Sequence, residues 1–292
     1  MLEAILRECI LKESRLSLII IIRRLLVIGV LLFMIFSIIT YANTTSEKKF
    51  DLKLAGGISY LSGTDFDAKV ASEKNPLDWG GEISGEIIFH LSRIALSAGM
   101  GYINGKSSSK NVTSEGGTVT ATSTLELDAQ AIPVTLGIYY FLPVSPKSQI
   151  FLHAGTGYYF VSFAREAYRE NDAPYWIKNS FTGKGGDLGF QGGIGLEYAM
   201  SENIIIVIEG AGRYAKIKGF EGTRDRNDSN GWSDSTTGKY YTLDRLIGEQ
   251  DWQKRTNVFT EKPSGDDVRN VRYPEIDFSG FTIRIGIKLR LF

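Results

Sequence analysis

The chain has almost no cysteine and very little histidine, which removes several kinds of chemistry from consideration. Of its 292 residues, one is cysteine and two are histidine. The single cysteine, Cys9, precedes the strongest apolar run, so an exported form cut after that run contains no thiol. Such a form suits an oxidising compartment. Acidic and basic residues balance at 33 each, and this balance argues against binding to nucleic acid.

Long apolar segments are also scarce, and the clearest one lies near the N-terminus. Residues 25–39 are apolar and follow two arginines, but the run is shorter than the roughly 20 residues of a spanning helix. Thr40 and Ala42 then stand where small residues precede a cleavage, here before Asn43. We therefore expect residues 1–42 to be an N-terminal extension with a signal peptide. The alternative is a membrane anchor that stays in place.

Beyond residue 48 the hydropathy alternates with a period of two, which is typical of β-strands with two different faces. Eight segments show this alternation, with aromatic residues at the ends of several apolar faces. The apolar residues of the fourth segment, from Ile132 to Tyr140, occupy even-numbered positions, whereas the preceding Leu125 and Leu127 occupy odd-numbered ones. This change predicts a bulge or register break near Gln130. The eight apolar faces run from Phe50 to Tyr60, Gly81 to Phe89, Ile94 to Tyr102, Ile132 to Tyr140, Leu152 to Phe160, Leu188 to Tyr198, Ile204 to Tyr214 and Phe281 to Leu291.

The predicted connections alternate between short and long. Short connections on one rim and long ones on the other are the layout of outer-membrane barrels, in which the short turns are periplasmic. The short connections are 91–93, 143–148 and 201–203, and the long ones are 62–78, 105–124, 165–185 and 216–276.

The second face of these segments carries four acids and four bases. A soluble barrel or sandwich would place apolar residues inside and leave these charges in water. If the charged face lines a small lumen instead, the charges can pair across strands. We predict that Arg284 and Lys288 face one or more of the four acids inside the barrel. The eight residues are Glu82, Glu86, Glu197, Glu209, Arg213, Arg284, Lys288 and Arg290.

Three stretches resemble small outer-membrane barrel families of the OmpA transmembrane-domain, OmpX and OmpW kind. Residues 131–141 are similar to their central strand, 193–198 with the following 201–203 to their sixth strand and turn, and Phe292 to their C-terminal aromatic. The resemblance implies an all-β fold over 43–292, an eight-stranded antiparallel up-and-down transmembrane β-barrel with short periplasmic turns and long extracellular loops.

The same resemblance implies a location and partners. The location is the bacterial outer membrane, and the partners are outer-membrane lipid, lipopolysaccharide and the barrel assembly machinery through Phe292. The apolar residues of the last segment occupy odd-numbered positions up to Leu291, whereas Phe292 occupies an even-numbered one. Either the last strand shifts register at its end or the assembly signal is degenerate.

Candidate chemical motifs are few and incomplete. His90 and Ser92 have the His-x-Ser spacing of outer-membrane lipid A deacylases, with Glu86 as the carboxylate to orient the histidine, but they fall at a periplasmic turn. Residues 225–231 resemble a calcium loop without its essential glycine and glutamate. His153 is predicted to point inward as a polar core residue. We predict no catalytic, cofactor-binding or metal-binding residues and no enzymatic activity.

The connection at about 217–275 is the longest, with mixed charge and several aromatic residues, among them Trp232 and Trp252. A connection of this length is usually functional or disordered, and its aromatics argue for order. We predict a hairpin between 238–247 and 256–261. The sequence thus favours a structural or cell-surface interaction role with an extracellular ligand at this loop. The alternatives are a narrow, porin-like pore for small solutes and a membrane-embedded lipid-modifying hydrolase.

Overall fold

Antiparallel β-strands make up most of the structure. The computed structural model describes residues 50–64, 79–115, 119–171, 175–247 and 251–291, so the signal peptide expected in 1–42 and the terminal Phe292 lie outside the described residues. The strands are β1 (Phe50–Thr64), β2 (Trp79–His90), β3 (Ile94–Glu115), β4 (Val119–Ser145), β5 (Ser148–Asn171), β6 (Trp176–Ala199), β7 (Ile204–Tyr214), β8 (Lys216–Ile217), β9 (Glu221–Asp228), β10 (Ser233–Ile247), β11 (Asp251–Phe259), β12 (Val268–Arg272) and β13 (Ile276–Arg290).

Eight of these strands close into a ring. Strands β1 to β7 pair with their neighbours in chain order, β7 pairs with β13, and β13 pairs with β1. The seam between β1 and β13 aligns Asp51 with Arg290 and Tyr60 with Phe281. Because the first and last strands are neighbours, these eight strands form a closed barrel, as the sequence predicts. We call the end with the short turns the lower end and the end with the insertion between β7 and β13 the upper end.

The two faces of the ring have opposite character. Ile283, Ile285 and Ile287 are 51%, 63% and 52% exposed, whereas Arg284 and Lys288 between them are 3% and 0% exposed. The same alternation holds around the ring, where exposed apolar side chains include Ile83, Leu136 and Leu196. The apolar residues therefore point outward and the charges inward, which confirms the predicted orientation and is the reverse of a soluble barrel.

In the part of the chain that the structure describes, no helix has the length and apolar character required to span a bilayer.

The short connections lie where the sequence predicts them, although the predicted 143–148 is reduced to 146–147 because β4 ends at Ser145 and β5 begins at Ser148. Strands β2 and β3 are joined by 91–93, and β6 and β7 by 200–203.

Two of the predicted long loops are wrong. The segments 105–124 and 165–185 instead continue β3 to β6 as ladders beyond the apolar band. Outside lipid the outer face of these strands is polar, and apolar side chains such as Leu127 and Phe163 are buried on the inner face instead. The alternation of the membrane band therefore does not continue in register through these segments. Connection 62–78 lies largely outside the described residues.

The predicted bulge near Gln130 is also wrong. The β3–β4 ladder keeps one register from Met100 opposite Val134 through Ile103 opposite Ala131. Leu125 and Leu127 are both 3% exposed, so they point into the molecule on a regular strand. The apolar parity changes because the surroundings change: above the membrane the outer face meets water and the inner face holds an apolar core.

Candidate functional site

The lower lumen is filled by a network of paired charges. Strand β1 contributes Lys53, whose ammonium contacts the carboxylate of Glu209 and lies 3.6 Å from that of Glu86. Tyr139 of β4 donates its hydroxyl to Glu86 and accepts from the Lys53 ammonium at 3.1 Å. His153 Nε2 lies 3.0 Å from Glu209 Oε1, so this histidine points inward as predicted. Nine charged residues of the network are buried: Asp51, Lys53, Glu82, Glu86, Glu197, Glu209, Arg213, Arg284 and Lys288.

The last strand supplies the two cations whose partners the sequence predicts. The Arg284 guanidinium lies 3.5 Å from Glu82 and 3.4 Å from Glu209. The Lys288 ammonium lies 2.6 Å from Glu197 and 3.1 Å from Asp51. Both cations thus face acids in the lumen, which confirms the prediction.

Strand β1 contributes more to this network than the sequence analysis assigns to it. Asp51 and Lys53 are each 1% exposed, yet neither belongs to the set of eight predicted lumen charges. They alternate with Leu52 and Leu54, so the period of two is the signal that identifies them. Arg290, which does belong to that set, is only half-buried, at the rim of the short turns.

The histidine, serine and glutamate at the periplasmic end do not assemble as a hydrolase would require. His90 Nε2 pairs with Asp51 Oδ2 at 2.7 Å, whereas the carboxylate of Glu86 engages Lys53 and Tyr139. Ser92 lies in the turn after β2 with a φ of 89°. The carboxylate beside the histidine is therefore Asp51, and Glu86, the only carboxylate that the sequence analysis offered for this role, has other partners.

The extracellular end of the lumen is closed by an apolar cluster. Phe220, Tyr240 and Val258 belong to the long insertion after β7, and they are buried among side chains from the barrel wall. Phe163 of β5 packs edge-on against Phe220 and Tyr240, with ring centroids 5.3 Å apart in both pairs. The insertion therefore places its own side chains inside the upper barrel.

Tyr240 also ties the insertion to the wall by hydrogen bonds. Its single hydroxyl proton is shared between the carbonyl oxygens of Thr182 on β6 and Thr223 on β9, at 2.9 and 3.1 Å. Burial raises the pKa of this hydroxyl above its ordinary value, so it stays protonated and remains a donor.

The insertion itself is a folded sheet that continues the barrel wall. Strand β9 pairs with the upper half of β6, from Lys184 opposite Glu221 to Ile177 opposite Asp228. Strand β10 pairs with β9, β11 and β12. The β10–β11 pairing confirms a hairpin here, but its second strand is Asp251–Phe259 and not the predicted 256–261. The β9–β10 hairpin and β12 have no counterpart in the sequence prediction.

The segment that resembles a calcium loop forms the end of the β9–β10 hairpin. Asp228 Oδ1 accepts hydrogen bonds from the backbone N–H groups of Asn230 and Trp232, at 2.9 and 3.1 Å. Asp225 accepts from the Ser235 hydroxyl at 2.6 Å. These carboxylates thus shape a turn and a cross-strand contact.

A closed ring with an apolar outer band and a lumen of paired charges defines an integral membrane β-barrel. A family model for the outer membrane protein beta-barrel domain matches residues 28–238, which is more than half of the chain. The protein therefore belongs to this family and resides in the bacterial outer membrane. There its apolar band contacts lipid and lipopolysaccharide.

Several solved structures are similar to this chain at low sequence identity. A major outer membrane protein from Thermus thermophilus is 15% identical, with 83% of this chain and 99% of that chain covered at a TM-score of 0.40. OprG from Pseudomonas aeruginosa is 12% identical, with 83% and 96% covered at 0.35. The outer membrane protease OmpT from Escherichia coli is 13% identical, with 82% and 97% covered at 0.34. A search among curated proteins returns no match.

Proposed function

We propose that the protein is a non-enzymatic outer-membrane barrel that presents its extracellular sheet for contacts at the cell surface. The observation that carries this proposal is the insertion, which is folded into strands β8 to β12 and anchored to the upper wall. A barrel that served only to span the membrane would not require an ordered sheet of this size outside it. The lumen charges then have a structural role, because they pair with one another within the barrel.

The contents of the lumen weigh against a pore. Eight strands enclose an interior just wide enough for side chains, and here salt bridges occupy the lower part while aromatic side chains occupy the upper part. Refolded protein in a planar lipid bilayer should therefore give no unitary conductance steps. A reproducible conductance that changes when Lys53 or Glu209 is replaced would instead favour a narrow pore through this lumen.

A lipid-modifying hydrolase has less support. His90 pairs with Asp51 at the rim of the short turns, and that rim faces the periplasm. We propose that this pair belongs to the structural charge network, because the same Asp51 carboxylate also lies 3.1 Å from Lys288. Release of fatty acid from outer-membrane lipid by the purified barrel, abolished by Ser92→Ala, would contradict the proposal.

The surface role is tested with the full chain and a shortened variant. In the variant a short Gly-Ser linker replaces 221–272, which removes β9 to β12 and leaves the eight ring strands. Both proteins are inserted into lipid nanodiscs and screened against saccharide and protein arrays. We expect binding by the full chain that the variant lacks, while the gel mobility of both proteins still changes on heating. Equal binding by both would place any contact surface on the barrel itself.

A further inference from the structure

The inner face of the extracellular sheet carries three arginines just above the apolar cluster. Arg165 on β5, Phe181 on β6 and Arg224 on β9 are neighbours in one cross-strand row. The guanidinium carbon of Arg165 lies 5.2 Å from the centre of the Phe181 ring. Arg226 follows two residues after Arg224 and so shares its face. Since adjacent strands are roughly 4.8 Å apart, the backbones of Arg165 and Arg224 lie about 10 Å apart with Phe181 between them.

The two arginines of β9 do not use all of their hydrogen-bond donors on nearby acids. The carboxylate of Asp234 lies 2.7 Å from Arg224, which also donates to Asn257 at 3.2 Å. Arg226 contacts the Trp232 ring, with its guanidinium carbon 5.0 Å from the ring centre. Its Nε, like that of Arg224, is buried without a hydrogen-bond partner among the residues that the structure describes.

On the outer face of β3 to β6, lysines pair with acids. Lys178 lies 3.0 Å from Glu166, and Lys106 lies 3.0 Å from Asp128. Each of these exposed lysines has an acid beside it, whereas the half-buried Arg226 stacks on an aromatic ring. Buried donors are normally satisfied, so Arg226, which has an aromatic ring where these lysines have an acid, is a cation of the inner face with hydrogen-bonding capacity to spare.

Trp232 adds a second recognition element beside the arginines. Its ring is 48% exposed at the end of the β9–β10 hairpin, and it flanks Arg226 on one side. An aromatic face packs against the apolar side of a sugar ring, while guanidinium forks bind phosphate oxygens in pairs. A phosphate group offers three acceptor oxygens, whereas a carboxylate offers two. A phosphate can therefore bind several guanidinium groups at once more readily than a carboxylate can.

We propose that Arg165, Arg224 and Arg226, together with Trp232, bind the phosphate group of a phosphorylated saccharide outside the cell. This proposal rests on the surface role proposed above and names the ligand class for it. The saccharide lies over Trp232, and its phosphate lies between the guanidinium groups of β5 and β9. Arg224 remains paired with Asp234, so Arg226 is the residue most available to the ligand.

The experiment measures saccharide binding by the full chain in detergent micelles, with isothermal titration calorimetry. The probes are deacylated lipopolysaccharide with its phosphates intact, the same saccharide after removal of phosphate, and glucose 6-phosphate as a soluble phosphosugar. Arg226→Gln should weaken binding of the intact saccharide at least about tenfold, which is the loss of one charge-assisted contact. Arg226→Lys keeps the charge but loses the fork, so its affinity should lie between the two. Removal of phosphate should abolish binding to the unaltered protein.

The matched control is Lys178→Gln, which removes one positive charge from the outer face of the same sheet. It should leave the affinity almost unchanged. Equal losses for Lys178→Gln and Arg226→Gln, or equal binding of the phosphate-free saccharide, would overturn the proposed site. Competition by glucose 6-phosphate would identify a soluble sugar phosphate as sufficient, and its failure to compete would require the longer saccharide. If the protein conducts ions and still binds the saccharide in a way that depends on Arg226, the absence of a pore is contradicted but the proposed binding site is not.

Discussion

Single residues in the lumen hold their neighbours in place by charge. Glu209 is the clearest case, because its carboxylate contacts Lys53, lies 3.4 Å from Arg284 and lies 3.0 Å from His153. A buried charge that loses its partner costs far more than an exposed one. The identity of such a residue is therefore set by what surrounds it inside the barrel.

Glu209→Ala is expected to lower the free energy of unfolding by about 3–5 kcal/mol, because it leaves Lys53 and Arg284 short of a buried counter-charge. Urea titration in detergent micelles, followed by the loss of the heat-resistant gel band, measures the change. The control is Glu221→Ala on the exposed β9–β10 surface, where the salt bridge with Lys239 is open to solvent and contributes little. Equal midpoints for the two variants would mean that the lumen pairs do not stabilise the fold.

Tyr240 gives a pH-dependent prediction. Its pKa is raised by burial, so the unfolded chain ionises first as the pH rises. The stability that this tyrosine contributes is fully present below about pH 10 and is lost as the pH rises above the ordinary tyrosine value. The opening of β9 and β10, measured as hydrogen exchange relative to the base-catalysed rate of an unfolded peptide, should therefore accelerate above about pH 10 in the unaltered protein.

Tyr240→Phe removes both the ionisation and the hydrogen bond that the hydroxyl shares between the carbonyl oxygens of Thr182 and Thr223. It should destabilise the sheet by roughly 1–2 kcal/mol at neutral pH and reduce the acceleration at high pH. If the variant shows the same pH profile as the unaltered protein, another group controls the alkaline opening.

At the scale of the strand, the extracellular sheet depends on a close approach between β6 and β9. Gly222 pairs with Gly183, and a Cβ atom at Gly222 would lie 1.8 Å from the carbonyl oxygen of Thr182. Gly222→Ala should therefore separate β9 from β6 and make the region 221–272 sensitive to protease, while the ring strands stay resistant. Gly210→Ala is the control, because no described atom lies within 4 Å of its added Cβ. Equal protease resistance of the two variants would contradict the tight β6–β9 contact.

The strands differ in how well the sequence predicts them. Lipid on one side and paired charges on the other give the hydropathy along each ring strand a period of two. The ring strands can therefore be predicted from residues such as Ile283, Arg284 and Ile285. That contrast ends at the membrane surface, and the extensions of β3 to β6 therefore look like loops in the sequence. The inner arginines escape prediction for the same reason, since Arg165 and Arg224 lie in segments without a periodic signal.

At the scale of the whole molecule, the N-terminal signal remains a prediction. The short apolar run 25–39, followed by Thr40 and Ala42, predicts that the protein in the membrane begins near Asn43. N-terminal sequencing of the protein extracted from outer membranes measures this start. Recovery of residues 1–24 in that fraction would show that the segment is retained as an anchor.

The seam of the ring has a consequence for how the molecule acquires its sidedness. Strand β13 closes against β1, with Asp51 opposite Arg290, so the ring is sealed by its first and last strands in chain order. Contacts between such distant parts of the chain give slow folding. The insertion precedes β13, and the finished lumen is filled with side chains, so the insertion has to cross the bilayer while the ring is open. Closure of this one pair of strands thus fixes the side of the membrane on which the insertion lies.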